Sequence, residues 1–147
     1  MKWIFPCLLF VVWPCAAEQA KPDEPEPLPR AHSHNDYYHK RPLLDALASG
    51  FCSVEADVFL RDNMLLVGHS RFELKKERTL EALYLVPLAK RVKANGGSVY
   101  KRRAPFHLMI DFKTDGPATY AALKPLLDKY RFTVSYTHLT LPTICSV

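Results

Sequence analysis

An α/β fold built on a parallel sheet is predicted by three features of this 147-residue sequence. Cys52, Val54, Ala56 and Val58 alternate with Ser53, Glu55 and Asp57, the period-2 pattern of a strand with one apolar face and one acidic face. Residues 42–48 and 117–130 carry apolar side chains at helical spacing. Polar residues cluster at the ends of the apolar runs, where a parallel α/β sheet gathers its functional loops. Strands alternating with helices imply right-handed crossovers, and the chain has no internal repeat.

Each segment has its own justification. Met1-Lys2, the apolar run Trp3 to Trp13 and the small residues Ala16-Ala17 have the layout of a secretory signal peptide, residues 1–17. A secreted or periplasmic location is expected for the remainder, because the run is short for a membrane span. Residues 18–29, rich in proline and acidic side chains, read as an extended tether. The folded part is expected over residues 30–133. It opens with a strand from Ala31 to His34 and a helix over residues 42–48 closed by Gly50. A strand follows from Phe51 to Leu60. Asp62-Asn63 is a turn, and Met64 to Gly68 a second short strand that delivers His69. A helix begins near Thr79, is divided by Pro87 and stops at Asn95-Gly96-Gly97. Phe106 to Lys113 is the next strand, and residues 117–130 the next helix, with Pro117 suited to its first turn.

The C-terminal segment, residues 134–147, is of another kind. Val134 to Thr143 resembles a translated sequencing-library adapter, so natural sequence is expected to end near Thr133. A genuine strand-like tail is the competing reading, since Thr, Val, Tyr and Leu favour strands. With both ends set aside, Cys52 alone remains of Cys7, Cys15, Cys52 and Cys145. No disulfide framework follows, and Cys52 is expected to be a small buried residue. The formal net charge is +5. Its basic residues at Lys75-Lys76, Lys90-Arg91, Lys93 and Lys101-Arg102-Arg103 lack the interleaved aromatic platform of a nucleic-acid groove, so no nucleic-acid partner is expected.

The chemistry-bearing residues fall at predicted strand ends. They are His32 and His34 in the polar end of the first strand, Glu55 and Asp57 late in the second, His69 after the hairpin, and Asp111 and Lys113 late in the last. Three carboxylates at one mouth repel one another unless a cation lies between them. A hard divalent ion, Mg²⁺ or Ca²⁺, suits oxygen ligands. The bland alternative is that Glu55 and Asp57 face solvent on an edge strand. His39 and His107 are expected to be surface or packing residues. Tyr37 and Tyr38 are open between lining a cleft and packing at its rim.

Ala31-His32-Ser33-His34-Asn35-Asp36-Tyr37, Ser53-Val54-Glu55-Ala56-Asp57-Val58, Leu66-Val67-Gly68-His69, residues 78–88 and Met109-Ile110-Asp111-Phe112-Lys113-Thr114-Asp115 together resemble the phosphatidylinositol-phospholipase-C-like phosphodiesterase superfamily of TIM barrels. Within it they most resemble the group named for altered inheritance of mitochondria protein six, and more distantly the glycerophosphodiester phosphodiesterases and sphingomyelinase D. The resemblance spans roughly residues 30–133. It implies a truncated TIM (β/α)8 barrel holding about the first three strand–helix units, since a complete barrel has eight strands. It further implies a metal-dependent phosphoric diester hydrolase acting on a glycerophosphodiester or phospholipid headgroup, with transient contact with a membrane surface. His32 and His69 match the catalytic histidines, Glu55, Asp57 and Asp111 the metal ligands, and Lys113 a phosphate-contacting lysine. His34 and Asn35 are expected beside the substrate. Ser33-His34 stands where glycerophosphodiesterases have Arg-Gly, which leaves His32 and His34 competing for the first role.

Two other readings remain. His32 and His34 form the His-x-His with which amidohydrolase-like and phosphatase-like hydrolases hold transition metals. A noncatalytic exported binding module would keep the fold without turnover.

Overall fold

The computed structural model describes residues 24–136. The signal-peptide segment, the first part of the tether and residues 137–147 lie outside the described residues. The chain forms an α/β unit around a mixed four-stranded sheet: β1 (Leu28–Ser33), α1 (Leu44–Ala48), β2 (Phe51–Arg61), β3 (Met64–Val67), α2 (Val86–Ala94), β4 (His107–Phe112), α3 (Gly116–Lys129) and α4 (Arg131–Tyr136).

The eleven-residue β2 organises the sheet. It pairs in parallel with β1 through Ser53 and Val54, and in parallel with β4 from Ser53 to Val58. Its last four residues pair with β3 in the antiparallel sense. The hairpin arises from Asp62 and Asn63, whose φ angles are 50° and 60°. Two successive positive φ values are what a tight two-residue hairpin demands, and Asp and Asn tolerate them.

The predicted alternation in β2 holds. Cys52, Val54, Ala56 and Val58 are each at most 1% exposed. They pack with Leu108 and Ile110 of β4, Leu47 of α1, Tyr84, Leu88 and Val92 of the third connection, and Leu123 of α3. In a parallel pair, registered residues project to the same face. Ser53 is registered with His32 on one side and His107 on the other, Glu55 with Met109, and Asp57 with Asp111. The second sheet face therefore carries His32, Glu55, Asp57 and Asp111, with Met109 left 40% exposed.

Three expected boundaries change. The tether was expected to run to Pro29, but Leu28 is already in β1 and its N–H donates to Gly50 O at 2.7 Å. Glu24 is docked too, accepting from Arg91 Nη2 at 2.8 Å and from the Lys101 N–H at 2.6 Å. The helix expected over residues 42–48 starts only at Leu44. Leu43 has φ 62° and ψ −50°, and the Leu44 N–H donates to Pro42 O at 2.7 Å, which is a γ-turn. Tertiary contacts override helical spacing here, because Leu43 is wholly buried and its N–H donates to Asp36 Oδ2. The third connection is divided near Pro87 as expected, but its first part, Glu81–Leu85, is a π-helical turn. A proline without an N–H cannot close the usual bond to the preceding turn, and the chain widens there.

α3 agrees with expectation. Its Pro117 lies in the first turn, and Asp115 caps it by accepting from the Ala118 N–H at 2.9 Å.

Candidate functional site

The site is assembled by one turn, two strand ends and one hairpin exit. After Ser33 the chain reverses at Asn35, whose left-handed φ 50°, ψ 42° conformation is one that Asn adopts readily. The short 3-10 turn Asp36–Tyr38 follows. This reversal aims the Asn35 N–H at Glu55 Oε2, 3.1 Å away, and the Tyr37 hydroxyl at Asp57 Oδ2, 2.8 Å away. Asp36, between them, is fully buried in the opposite direction. It accepts from Ser33 Oγ, Tyr84 OH and the Leu43 N–H, so its charge is held by three donors. Arg78 Nη2 fixes the turn from outside by donating to Tyr37 O at 2.6 Å.

The carboxylates of Glu55, Asp57 and Asp111 converge, with one oxygen from each lying within 4.8 Å of the others. Oxygens on opposite sides of a Ca²⁺ or Mg²⁺ ion at normal bond lengths stand about 4 to 5 Å apart, so the cluster has the dimensions of a hard-cation site. The Asp57 side chain is 1% exposed. Its Oδ2 accepts from Tyr37 and lies 3.2 Å from both Lys113 Nζ and His69 Nδ1. Its Oδ1 is buried with no hydrogen-bond partner among the described residues. A buried carboxylate oxygen left in that condition is costly, and a bound cation is the chemical remedy. The donor set, all oxygen and anionic, fits Mg²⁺ or Ca²⁺ better than a thiophilic or imidazole-seeking metal.

The histidines divide between two environments. His69 sits beside Asp57 at the exit of β3, and its backbone N–H donates to Glu73 Oε2 at 3.1 Å. His32 Nδ1 is 2.8 Å from Ser53 Oγ, on the same sheet face as the carboxylates. His34 lies 3.2 Å from Glu55 Oε2 and is 71% exposed. His32 is thus anchored by a hydroxyl, whereas His34 leans on one of the acids. Among the described residues the His39 ring reaches Ser33 Oγ, at 3.4 Å, and stands outside the three-carboxylate group.

Lys113 is drawn to the acids. Its ammonium is 2.6 Å from Asp111 Oδ2 and 3.2 Å from Asp57 Oδ2. Burial works to lower its pKa, but the hydrogen bonds and charges of Asp111 and Asp57 prevail and raise it, keeping a positive charge in the cluster. Burial, reinforced by the bond to Asp57, pushes the Tyr37 phenol far above its ordinary value, so it remains a proton donor. A cavity of about 430 Å³ lined by Tyr37, Tyr38, Lys40, Glu73, Lys75 and Arg78 adjoins the turn.

All eight residues expected at the site lie on or beside this sheet face. Tyr37, Ser53 and Glu73 join them without having been assigned roles. Tyr37 was left open between cleft and rim: it lines the cavity beside the turn and, at 2% exposed, also stands beneath the carboxylates as a hydrogen-bonding hub. Its signal was its place in the same polar run as His32 and His34. Ser53 had a signal too, being the polar residue two before Glu55 on an alternating strand.

Among known proteins, the family model for the AIM6-like phosphodiesterase domain matches residues 26–141. A protein of Eremothecium gossypii named altered inheritance of mitochondria protein 6 is 44% identical over 119 residues, 69% of this chain and 31% of that protein. Its namesake in Lachancea thermotolerans is 42% identical over 121 residues, covering 69% and 28%. A homolog of that name in Arthroderma benhamiae is 40% identical over 125 residues, covering 69% and 40%. The chain thus spans less than half the length of these relatives. No solved structure matches it.

Proposed function

Because the chain belongs to the AIM6-like phosphodiesterase family, we propose that it carries the first part of a metal-dependent phosphoric diester hydrolase. The observation that carries this reading is the convergence of the Glu55, Asp57 and Asp111 carboxylates, together with a buried Asp57 Oδ1 that has no hydrogen-bond partner among the described residues. Glu55, Asp57 and Asp111 would hold Mg²⁺ or Ca²⁺, which when bound supplies positive charge to the nonbridging oxygens of a phosphodiester.

The chain's own groups do the rest. Lys113, already within the cluster, would add a further positive charge for a substrate phosphate. His69 and His32 are each held through Nδ1, which reserves Nε2 for substrate. Imidazoles titrate near neutrality, so one takes the proton from the attacking hydroxyl and the other returns one to the leaving alcohol. His32 is the better candidate for the second imidazole than His34, because His34 is engaged by Glu55, a proposed metal ligand. The glycerophosphodiester or phospholipid headgroup would enter over the exposed side of this sheet face, where Asn35 and His34 border it.

The wider architecture follows the same reading. Four strands, an open face carrying Met109 and an unpaired outer edge of β4 among the described residues suit the opening units of a TIM barrel. The Met1 to Ala17 segment supports export, followed by transient contact of the mature protein with a membrane surface.

The test is hydrolysis of glycerophosphodiesters and of phosphatidylinositol by the full-length protein. Activity is expected to vanish on chelation, to return with Mg²⁺ or Ca²⁺, and to fall at least a hundredfold, on the order of a lost acid–base group, in His69→Ala. Undiminished activity after chelation would refute the metal. Two tightly held zinc or manganese ions would instead favour the His-x-His hydrolases, and a His69→Ala protein unchanged in every assay would favour the binding module.

A further inference from the structure

We infer that Tyr37 is a positioning residue: its hydroxyl, acting with Asp57, holds His69 in the tautomer that carries its proton on Nδ1. This rests on the reading of His69 as an acid–base group. The Tyr37 oxygen lies 2.7 Å from Asn35 Oδ1, 2.8 Å from Asp57 Oδ2 and 3.2 Å from His69 Nδ1. One hydroxyl proton cannot serve all three. The ionised Asp57 is the strongest acceptor and has no donor to offer in exchange, so the hydroxyl donates to its Oδ2, while the Asn35 amide can turn its Nδ2 toward the phenol oxygen 2.7 Å away. The phenol oxygen then has lone pairs to offer, and His69 Nδ1 faces both them and Asp57 Oδ2, each at 3.2 Å. A nitrogen placed between two acceptors must carry the hydrogen, so Nε2 keeps the lone pair that a general base uses.

The fold supports this role. The Tyr37 ring is 2% exposed, its carbonyl is clamped by Arg78, and the neighbouring Asn35 N–H is tied to Glu55. The hydroxyl is therefore delivered by a rigid turn. Partners that fix an imidazole's tautomer from behind typically change activity by about tenfold to a hundredfold.

The experiment compares the full-length protein with Tyr37→Phe, which keeps the buried ring and removes only the hydroxyl. Histidine is labelled with ¹⁵N, and spectra are taken at about pH 8, where an ordinary imidazole is neutral, with and without Mg²⁺. In the unaltered protein the His69 nitrogens should report a protonated Nδ1 and a bare Nε2. In Tyr37→Phe the two shifts should move toward each other as the second tautomer becomes populated. In parallel, kcat should fall about tenfold to a hundredfold with little change in KM. A proton resident on Nε2 in the unaltered protein overturns the inference, even should the variant fail to fold. So does a folded Tyr37→Phe with unchanged shifts and kcat. The spectrum needs no turnover, so a protein that hydrolyses no phosphodiester refutes the proposed function alone, and the tautomer still upholds or overturns the role of Tyr37.

Discussion

Asp36 shows how a single residue secures the site without touching it. Its carboxylate has no exposure and takes donors from Ser33, Leu43 and Tyr84, which stand on three different segments. Burial and the Asp36 charge together push the Tyr84 phenol well above its ordinary pKa, so this donor is not lost at any working pH. Asp36→Ala would strand three buried donors and release the γ-turn at Leu43, at a cost of at least about 3 kcal/mol. Asp36→Asn keeps one acceptor oxygen and should cost less, about 1–2 kcal/mol; denaturant unfolding of the full-length protein measures both. At this scale the sequence is legible where local period alone decides. Glu55 and Asp57 alternate with apolar residues, and Asp111 repeats the pattern, so their shared face could be read directly. Asp36 and Tyr37 could not be read that way. Their partners lie up to 48 positions away, and their opposite directions depend on the left-handed backbone at Asn35.

At the level of elements, β2 determines most of the arrangement, and the join between α1 and β2 shows how tightly it is held. Gly50 has φ +84°, and a Cβ there would lie 2.3 Å from the Glu26 carbonyl oxygen. Gly50→Ala therefore combines an unfavourable backbone region with a clash against main chain, and should destabilise by about 2 kcal/mol or more. It should also loosen the Leu28 N–H to Gly50 O bond that seats β1, so proteolysis near Leu28 should quicken along with the fall in melting temperature. The hairpin was legible because Asp-Asn between apolar runs has a backbone reason to turn. The docking of residues 24–28 was not, because Pro and Glu there read as solvated chain. Their order comes from partners in later segments, Arg91 and Lys101. The π-helical turn likewise needed coordinates, since Pro87 announces an interruption without stating its form.

For the molecule as a whole, the open sheet is the dominant fact. β4 pairs with β2 alone among the described residues, and Met109, Tyr120 and Phe132 are each 40% or more exposed. An uncovered strand edge with apolar neighbours invites association. The 147-residue chain by itself is expected to aggregate or melt without cooperativity and to lack activity, whereas the full-length protein should melt as a unit. A monomeric, cooperatively melting and active short chain, checked by light scattering and calorimetry, would overturn that expectation. The α/β class was legible from alternating strands and helices. The mixed sense of the sheet came from the hairpin, and barrel closure cannot be read from four strands.

The turn after β1 has a practical consequence for anyone redesigning this fold. Asn35 and Tyr37 look toward the acids while Asp36 looks into the interior. Adding or deleting one position there would exchange the two directions and place an anchor where a reagent belongs. The segment is best transplanted as an indivisible cassette of fixed length, and loop shuffling at this corner should fail even when every chemical group is retained.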